Sequence, residues 1–352
     1  MPTPSDGPRD LPDRVIRDAL RHPANLRAFL QQTVPALADR FDCERRRLLD
    51  REFLTDDWRR READLPFEIP YRLGEEELWA LVFVLIEHQS SEDPVMPLRV
   101  LYFVVLYWER QWRAWEKITP PKPPLRLNPV LPLVLYTGGG SWQNNRSLHD
   151  LLGEPAEFHG FVPQWSPLFW ELGEHDADEL LASGDAWQEV LAVIRAQGAD
   201  AATFERIYVE ALRRLAPVAA HDRVRWYDLV RAIVSWALWR RPGPERQTLL
   251  AAAQATQTDV DRQKEIGLMG QTIAESIWEE GRLKGRAEGK REGELEGALQ
   301  ALRGTLRRAL TERFGAVPEA IGGRIESCTD VERLTAAILS LSHVATPDEI
   351  AL

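Results

Sequence analysis

The 352-residue chain is long enough for a full-sized domain and a smaller one, because single hydrophobic cores rarely grow past ~250–300 residues. Its net charge of −11 argues against a protein that coats DNA, but it is compatible with an enzyme whose acidic site holds divalent cations. A polar, proline-rich N-terminus, an apolar run no longer than Leu78–Ile86 and two isolated cysteines, Cys43 and Cys328, predict a cytoplasmic protein without a signal peptide, membrane span, zinc site or disulfide.

The first 90 residues predict helices followed by a β-hairpin. Apolar residues recur at about 3.6-residue spacing over 13–50, which is typical of amphipathic helices. Strict alternation over 63–73 predicts a half-buried strand, and the apolar run over 78–90 predicts a strand buried on both faces. We therefore expect an antiparallel pair joined by a turn at 74–77.

A second helix and two further strands follow in the predicted order. Residues 97–117 predict a helix, residues 130–140 a buried strand ended by three glycines, and residues 161–172 a last strand-like segment. One helix before the hairpin and another before the third strand is the pattern of an α/β sandwich.

From about residue 176 onward, every predicted element is a helix. The expected helices cover 185–197, 201–215, 223–239, 299–314, 319–327 and 330–340. The predicted domains are a core over 1–175, a helical extension of it over 176–260, a charged glycine-repeat helix over 261–300 and a small helical domain over 301–352.

A series of glycines recurs every four residues between charged side chains. Its members are Gly281, Gly285, Gly289, Gly293 and Gly297. Each costs ~1 kcal/mol relative to alanine inside a helix, so the regular spacing needs a reason. One interpretation is a groove that lets another helix approach closely, which predicts a homo-oligomer. The other is a flexible charged spacer with partial helicity.

Three polar residues of the predicted hairpin carry the candidate chemistry. Glu87 and Gln89 are two apart at the end of a buried strand, so their side chains project from one face. A hairpin centred near position 75.5 pairs Asp64 with about residue 87, and cross-strand neighbours have Cβ atoms ~5 Å apart. Two carboxylates at that separation could share Mg²⁺, with the backbone carbonyl of His88 and waters as further oxygen ligands. The alternative is a surface strand end with ordinary polar residues.

The layout of Asp64, Glu87 and Gln89 is that of the D…E-x-K motif of the PD-(D/E)XK nucleases, with glutamine where lysine is commonest. The segments RREADLPFEI, FVLIEHQSSEDPVMPLRVLYFVVLYWER and NPVLPLVLYTGGGSW also resemble the Rpn/YhgA-like putative transposases, or recombination-promoting nucleases. The resemblance covers roughly residues 10–260. The glycine series and the tail after it are similar to a C-terminal extension that many such proteins carry, a region without assigned function.

The resemblance implies a restriction-endonuclease-like core and a divalent-metal-dependent DNA endonuclease of mobile-element origin, linked to recombination. By matching position it implies Asp64, Glu87 and Gln89 as the catalytic set and Mg²⁺ or another divalent cation as cofactor. Because glutamine is neutral, Gln89 would orient the attacking water by hydrogen bonds rather than act as a charged stabiliser. The family generally has glutamine here as well.

Other residues are weaker candidates. Arg99 and Tyr102 could reach a DNA phosphate, although packing is an equal alternative, and Trp142 could stack on a base or belong to the core.

Two departures from the family pattern stand out. Its opening His-Asp and Phe-Lys pairs become Pro12-Asp13 and Ile16-Arg17, which retains Arg17 as a basic candidate for DNA contact. Pro66 replaces a leucine in the Asp64 strand, which implies a strand edge or a bulge.

The sequence is therefore compatible with two functions. The first is an active metal-dependent DNA endonuclease. The second is a catalytically degenerate nuclease fold that serves as a protein-interaction or oligomerisation scaffold, an alternative motivated by Pro66, the acidic charge and the glycine series.

Overall fold

The structure is a computed structural model that describes residues 11–49, 64–87, 93–138, 140–153 and 156–351. Its contacts divide the chain into two compact units, Met1–Ser276 and Ile277–Leu352. Within the described ranges, no helix combines the length and the apolar character that crossing a bilayer requires.

The first unit contains a mixed sheet and most of the helices, so the chain is an α/β protein. The strands are β1 (Arg47–Leu48), β2 (Asp64–Leu73), β3 (Glu76–Glu87), β4 (Val130–Tyr136) and β5 (Leu168–Glu171). The helices are α1 (Leu11–Leu20), α2 (Pro23–Thr33), α3 (Pro35–Ala38), α4 (Met96–Glu116), α5 (Leu148–Leu151), α6 (Ala177–Ala182), α7 (Ala186–Arg195), α8 (Ala201–Leu215), α9 (Val218–His221), α10 (Arg223–Arg240) and α11 (Arg246–Ala255). Helix α12 (Val260–Phe314) begins in this unit.

The sheet has its strands in sequence order, β1-β2-β3-β4-β5. The pairs β1–β2 and β2–β3 are antiparallel, whereas β3–β4 and β4–β5 are parallel. Strands β3, β4 and β5 therefore end at the same side of the sheet, where β2 begins. We call this side the carboxyl edge.

The turn of the β2–β3 hairpin is tighter than the sequence indicates. Leu73 pairs with Glu76, so the turn consists of Gly74 and Glu75, and the predicted turn over 74–77 was wrong. Gly74 has a φ of 64°, a conformation that suits glycine and allows a two-residue connection. Asp64 consequently pairs with Leu85 and not with residue 87.

Helices cover both faces of the sheet. On one face, α4 packs Val100, Phe103 and Tyr107 against a buried cluster that includes Phe83 and Leu85 of β3. On the other face, the ring of Phe29 in α2 contacts Trp170 of β5 and Trp187 of α7 edge-on, with ring centroids 6.2 and 6.5 Å apart. Residues 80–86 of β3 are all buried, which confirms a strand covered on both sides.

Two prolines in β2 are accommodated without loss of β2–β3 ladder bonds. The carbonyls of Pro66 and Pro70 accept hydrogen bonds from the backbone N–H groups of Leu49 and Asp42, on the outer side of the strand. Because N and C=O of one residue point to the same side of a strand, the missing proline N–H groups also face outward. Pro66 therefore gives no reason to regard this hairpin as degenerate.

A buried hydroxyl connects α4 to the sheet and to the loop before β4. Tyr107 donates to Oε1 of Glu68 at 3.0 Å and accepts from Nδ2 of Asn128 at 3.0 Å. Burial raises the pKa of Tyr107 above its ordinary value, so the hydroxyl stays protonated as the donor. This network fixes the position of α4 over β2.

The helical layer of the first unit contains a buried carboxyl group, Glu189 of α7. The residue is 2% exposed, and burial raises its pKa to about 7. Nearby Arg214 lowers the pKa, while Glu210 and Asp185 raise it. Between pH 4.5 and 7 the folded chain thus holds a proton that the unfolded chain releases, so this group makes stability fall as pH rises through that window.

We expect Glu189→Gln to abolish that pH dependence. Relative to the wild type, the variant should gain on the order of 1–3 kcal/mol in free energy of unfolding between pH 5 and pH 8, because glutamine never becomes charged. Urea unfolding at the two pH values measures the difference. Glu205→Gln, at an exposed position of α8, should change stability equally at both. Parallel pH profiles for the wild type and Glu189→Gln would contradict the assignment.

The second unit contains residues 277–314 of α12, with α13 (Glu319–Ser327) and α14 (Val331–Ser340). Leu306, Leu310, Ile325 and Leu334 are central to its buried cluster. The five repeated glycines lie within α12, and a Cβ added at any of them would meet no atom of the described chain within 4 Å. No described residue therefore packs closely against the glycine face.

Candidate functional site

The two residues predicted to supply carboxylate ligands to a metal both lie at the carboxyl edge of the sheet. Asp64 is the first residue of β2, and Glu87 is the last residue of β3. Since Asp64 pairs with Leu85, position 87 lies diagonally across from it, two residues further along β3. Side chains alternate along a strand, so positions 64, 85 and 87 belong to one face of the sheet. Diagonal neighbours in such a ladder have Cα atoms ~7–8 Å apart.

The face that contains these positions is the one that α4 covers. Leu85 is fully buried in the cluster formed with Val100 and Phe103 of α4. His88 and Gln89, expected as a backbone ligand and as the third catalytic residue, lie outside the described residues. No group of three metal-ligating His, Cys, Asp or Glu side chains is found within the described ranges.

Two of the predicted phosphate contacts lie near the beginning of α4. Arg99 is 6% exposed, and its Nη1 lies 3.5 Å from Oδ2 of Asp93. Tyr102, one helical turn further on, is 38% exposed. Both roles remain predictions, and of the two side chains Tyr102 is the more accessible to a bound strand.

Arg17 is placed elsewhere. It belongs to α1, which contacts α10, and it is only 7% exposed. Its Nε lies 3.9 Å from Oδ1 of Asp18. Its predicted contact with DNA stays a prediction.

Trp142 belongs to the core and does not present its face to solvent. It is 3% exposed and meets Tyr136, the last residue of β4, edge-on at a centroid distance of 5.2 Å. Its ring lies 5.1 Å from that of Phe169 in β5. Of the two roles considered for this tryptophan, packing is the one observed.

A second carboxylate ends a strand at the same edge. Glu171, the last residue of β5, is buried and accepts a hydrogen bond from the backbone N–H of Trp142 at 2.7 Å. It also pairs with the guanidinium of Arg146. In the parallel register, Glu87 pairs with Tyr136 and Tyr136 pairs with Glu171, so the three positions form one row across β3, β4 and β5.

The loop that supplies Arg146 is fixed by its own hydrogen bonds. Asp150 accepts from the backbone N–H groups of Arg146 at 2.9 Å and Ser147 at 2.8 Å, and these bonds lower the pKa of its carboxyl group. Ser147 in turn caps α5 by accepting from the N–H of Asp150. Asp150 is therefore a capping residue, and nothing in this arrangement suits acid–base catalysis.

A family model described as "Putative transposase, YhgA-like" matches residues 11–220, more than half of the chain. The chain belongs to this family. The matched residues of this YhgA-like protein include the whole sheet, α4 and the loop with Trp142 and Arg146. No solved structure matches the chain.

Sequence reasoning missed Glu171 and Arg146 in this YhgA-like protein. A signal for Glu171 was present, because it ends the apolar segment LFWE as Glu87 ends LVFVLIE. Burying a carboxylate at the end of a strand costs free energy unless a hydrogen-bond donor or a cation lies close to it. A carboxylate at such a position therefore indicates a nearby partner. Nothing in the local sequence indicates Arg146 as that partner, since the pair is separated by 25 residues.

Proposed function

We propose that this chain is a divalent-metal-dependent DNA endonuclease with a restriction-endonuclease-like, PD-(D/E)XK-type core. One observation carries the proposal: the hairpin register puts Asp64 and Glu87 diagonally adjacent on one face at the carboxyl edge. The family supports it, because transposition requires DNA strands to be broken. A role in DNA recombination is part of the same proposal.

Each residue has a chemically distinct role in this proposal. Asp64, Glu87 and the backbone carbonyl of His88 would supply oxygen ligands of the kind that Mg²⁺ prefers. When bound, a divalent cation supplies Lewis acidity that lowers the pKa of water and neutralises charge on the scissile phosphate. Gln89 would orient the attacking water through its amide. Tyr102 and Arg99 would bind the nucleic-acid backbone beside the reacting phosphate.

The proposal is tested by incubating supercoiled plasmid with purified protein, with Mg²⁺ or with a chelator. We expect conversion to nicked or linear DNA in Mg²⁺ and none in the chelator. Cleavage that persists in the chelator, or no cleavage with any divalent cation, would contradict the proposal.

The second candidate function is self-association through α12, with or without catalysis. It is favoured by the open glycine face together with Trp278, an exposed apolar residue one helical turn before Gly281. Small residues allow close backbone approach between helices, and an exposed apolar side chain on the same side of the helix adds area to be buried. The partner in this proposal is a second copy of the chain.

We expect Gly289→Leu to weaken an oligomer that forms through this face, because the added side chain prevents close approach. Light scattering after size-exclusion chromatography should give a lower mass for the variant than for the wild type at equal concentration. Arg291→Leu adds a leucine at an exposed position two residues from both Gly289 and Gly293, on the opposite side of the helix, and is the control. A monomeric wild type, or equal masses for all three proteins, would contradict the proposal. Stable oligomers with no metal binding in calorimetry would favour the scaffold over the nuclease.

A further inference from the structure

Arg146 is a half-exposed cation held by a buried carboxylate at the carboxyl edge. Its side chain is 46% exposed, whereas that of its partner Glu171 is 2% exposed. The carboxylate therefore lies behind the guanidinium, and a ligand that approaches from solvent meets the guanidinium first. Glu171 also accepts a hydrogen bond from the backbone N–H of Trp142, which stabilises the carboxylate from inside the protein.

Further contacts orient the Arg146 guanidinium. Its Nη2 lies 3.4 Å from the carbonyl oxygen of Trp142, and its Cζ lies 5.3 Å from the centre of the Phe169 ring. An arginine has five N–H donors, so these contacts leave donors for an oxyanion on the exposed side. A guanidinium already held in place loses little side-chain entropy when it binds a ligand.

The backbone around Arg146 is held as firmly as its side chain. Asp150 accepts from the Arg146 N–H, and the Nδ2 of Asn145 donates to the carbonyl of Pro94 at 2.8 Å, just before α4 begins. The indole N–H of Trp142 donates to the carbonyl of Asn145 at 3.2 Å. The loop is thus tied to β5, to α5 and to the segment that leads into α4.

The position of Arg146 relates it to the candidate metal ligands. Glu171 and Glu87 end strands that are two apart in one row, and strands are spaced ~4.8 Å, so their Cα atoms lie roughly 10 Å apart. Successive phosphates of a DNA strand advance ~3.4 Å along the helix axis. A strand placed at Glu87 can therefore pass Arg146 within a few nucleotides.

We propose that Arg146 binds a backbone phosphate of the DNA, close to the scissile one and on the same strand. This inference rests on the proposed nuclease function and adds a binding residue to it. Phosphate oxygens match the planar N–H pattern of a guanidinium. The Phe169 ring and Glu171 hold the guanidinium of Arg146 at the carboxyl edge. Because a phosphate contact carries no base information, Arg146 contributes to affinity equally for all sequences.

The competing explanation is that Arg146 only fastens its loop to Glu171. Three variants separate the two roles. Arg146→Gln removes the charge, and Arg146→Lys keeps a charge that can bind a phosphate. Arg113→Gln removes a 68% exposed arginine near the far end of α4 that is ion-paired with Glu109. Circular dichroism and thermal melting establish that each variant is folded.

The experiment measures the affinity of the full chain for a short fluorescent DNA duplex by anisotropy, in a chelator, between ~50 and ~200 mM salt. For Arg146→Gln we expect the slope of log K against log salt to fall by about 0.9 in magnitude, and Kd to rise about 5-fold near 0.15 M salt. Arg146→Lys should keep the wild-type slope, and Arg113→Gln should match the wild type in slope and Kd.

Two results would overturn the inference: an unchanged slope and Kd for Arg146→Gln, or an equal loss of slope for Arg146→Lys and Arg146→Gln. Plasmid nicking by the wild type is measured in parallel with Mg²⁺. If the wild type nicks DNA while Arg146→Gln binds normally, only the Arg146 assignment fails. If the wild type neither binds nor nicks DNA, the proposed function fails and the assignment of Arg146 fails with it.

Discussion

Asp64→Asn and Glu87→Gln should each reduce Mg²⁺-dependent plasmid nicking by at least ~100-fold. Each substitution keeps the size of the side chain and replaces one carboxylate by a neutral amide, which is a poorer ligand for a hard cation. Because both carboxylates are proposed to hold the same ion, the double variant should be little worse than either single one. Initial nicking rates over a range of Mg²⁺ concentrations give the comparison.

The matched control for these variants is Glu76→Gln, at the opposite end of β3. Glu76 is exposed beside the hairpin turn and pairs with Leu73, far from the carboxyl edge. Its substitution removes the same charge from the same strand and should leave nicking unchanged. Nicking that survives both Asp64→Asn and Glu87→Gln would eliminate the assignment of the site, even for a chain that proves to be a nuclease.

Phe103→Ala should destabilise the first unit by about 3–5 kcal/mol, the usual cost of deleting a buried phenyl ring. Phe103 is 1% exposed and stacks on Phe83 of β3 with ring centroids 3.7 Å apart and planes 7° from parallel. The ring is part of the buried cluster between α4 and the face of the sheet that contains positions 64 and 87. Loss of this contact should therefore lower nicking activity at physiological temperature as well.

Urea unfolding followed by tryptophan fluorescence tests this prediction. All tryptophans except Trp278 precede residue 277, so the signal reports mainly on the first unit. Val105→Ala, at a position 48% exposed on the same helix, should cost less than about 1 kcal/mol. Similar losses for Phe103→Ala and Val105→Ala would show that α4 does not pack on the sheet in the manner described.

The main elements of the sheet could be predicted from local pattern alone. Alternation over 63–73 predicted β2, and its odd-numbered residues Leu65, Phe67 and Ile69 are buried as expected. The expected half-buried strand was wrong, because Pro66 and Pro70 of the other face are buried as well. The helix predicted over 97–117 is observed as Met96–Glu116, and its long apolar face explains the accuracy. These elements could be predicted because each depends on the spacing of apolar residues within a short segment, and that spacing can be read from a single sequence.

The register of the hairpin could not be predicted to the residue. The polar run after Gly74 looks like turn, but Glu76 and Glu77 continue the ladder at the exposed end of β3. The resulting shift of two residues leaves Asp64 opposite Leu85. Because side chains have a period of two, the shift preserves the face of the sheet, and the relation between Asp64 and Glu87 changes from direct to diagonal.

The extent of β5 and the ion pair between Glu171 and Arg146 could not be predicted from local sequence, for two different reasons. The predicted strand over 161–172 is observed only as Leu168–Glu171, since Pro163 and Pro167 interrupt the extended segment before it. The pairing of Glu171 with Arg146 depends on how a loop returns to the sheet. Such a contact follows from tertiary structure and has no spacing rule in the sequence.

The most direct test is a crystal structure of the chain grown with Mn²⁺ and measured at a wavelength where manganese gives an anomalous signal. We expect one ion bound by a carboxylate oxygen of Asp64 and one of Glu87, each at roughly 2.0–2.2 Å. A carboxylate pair directed to opposite faces of the sheet, or an ion bound away from both residues, would contradict it.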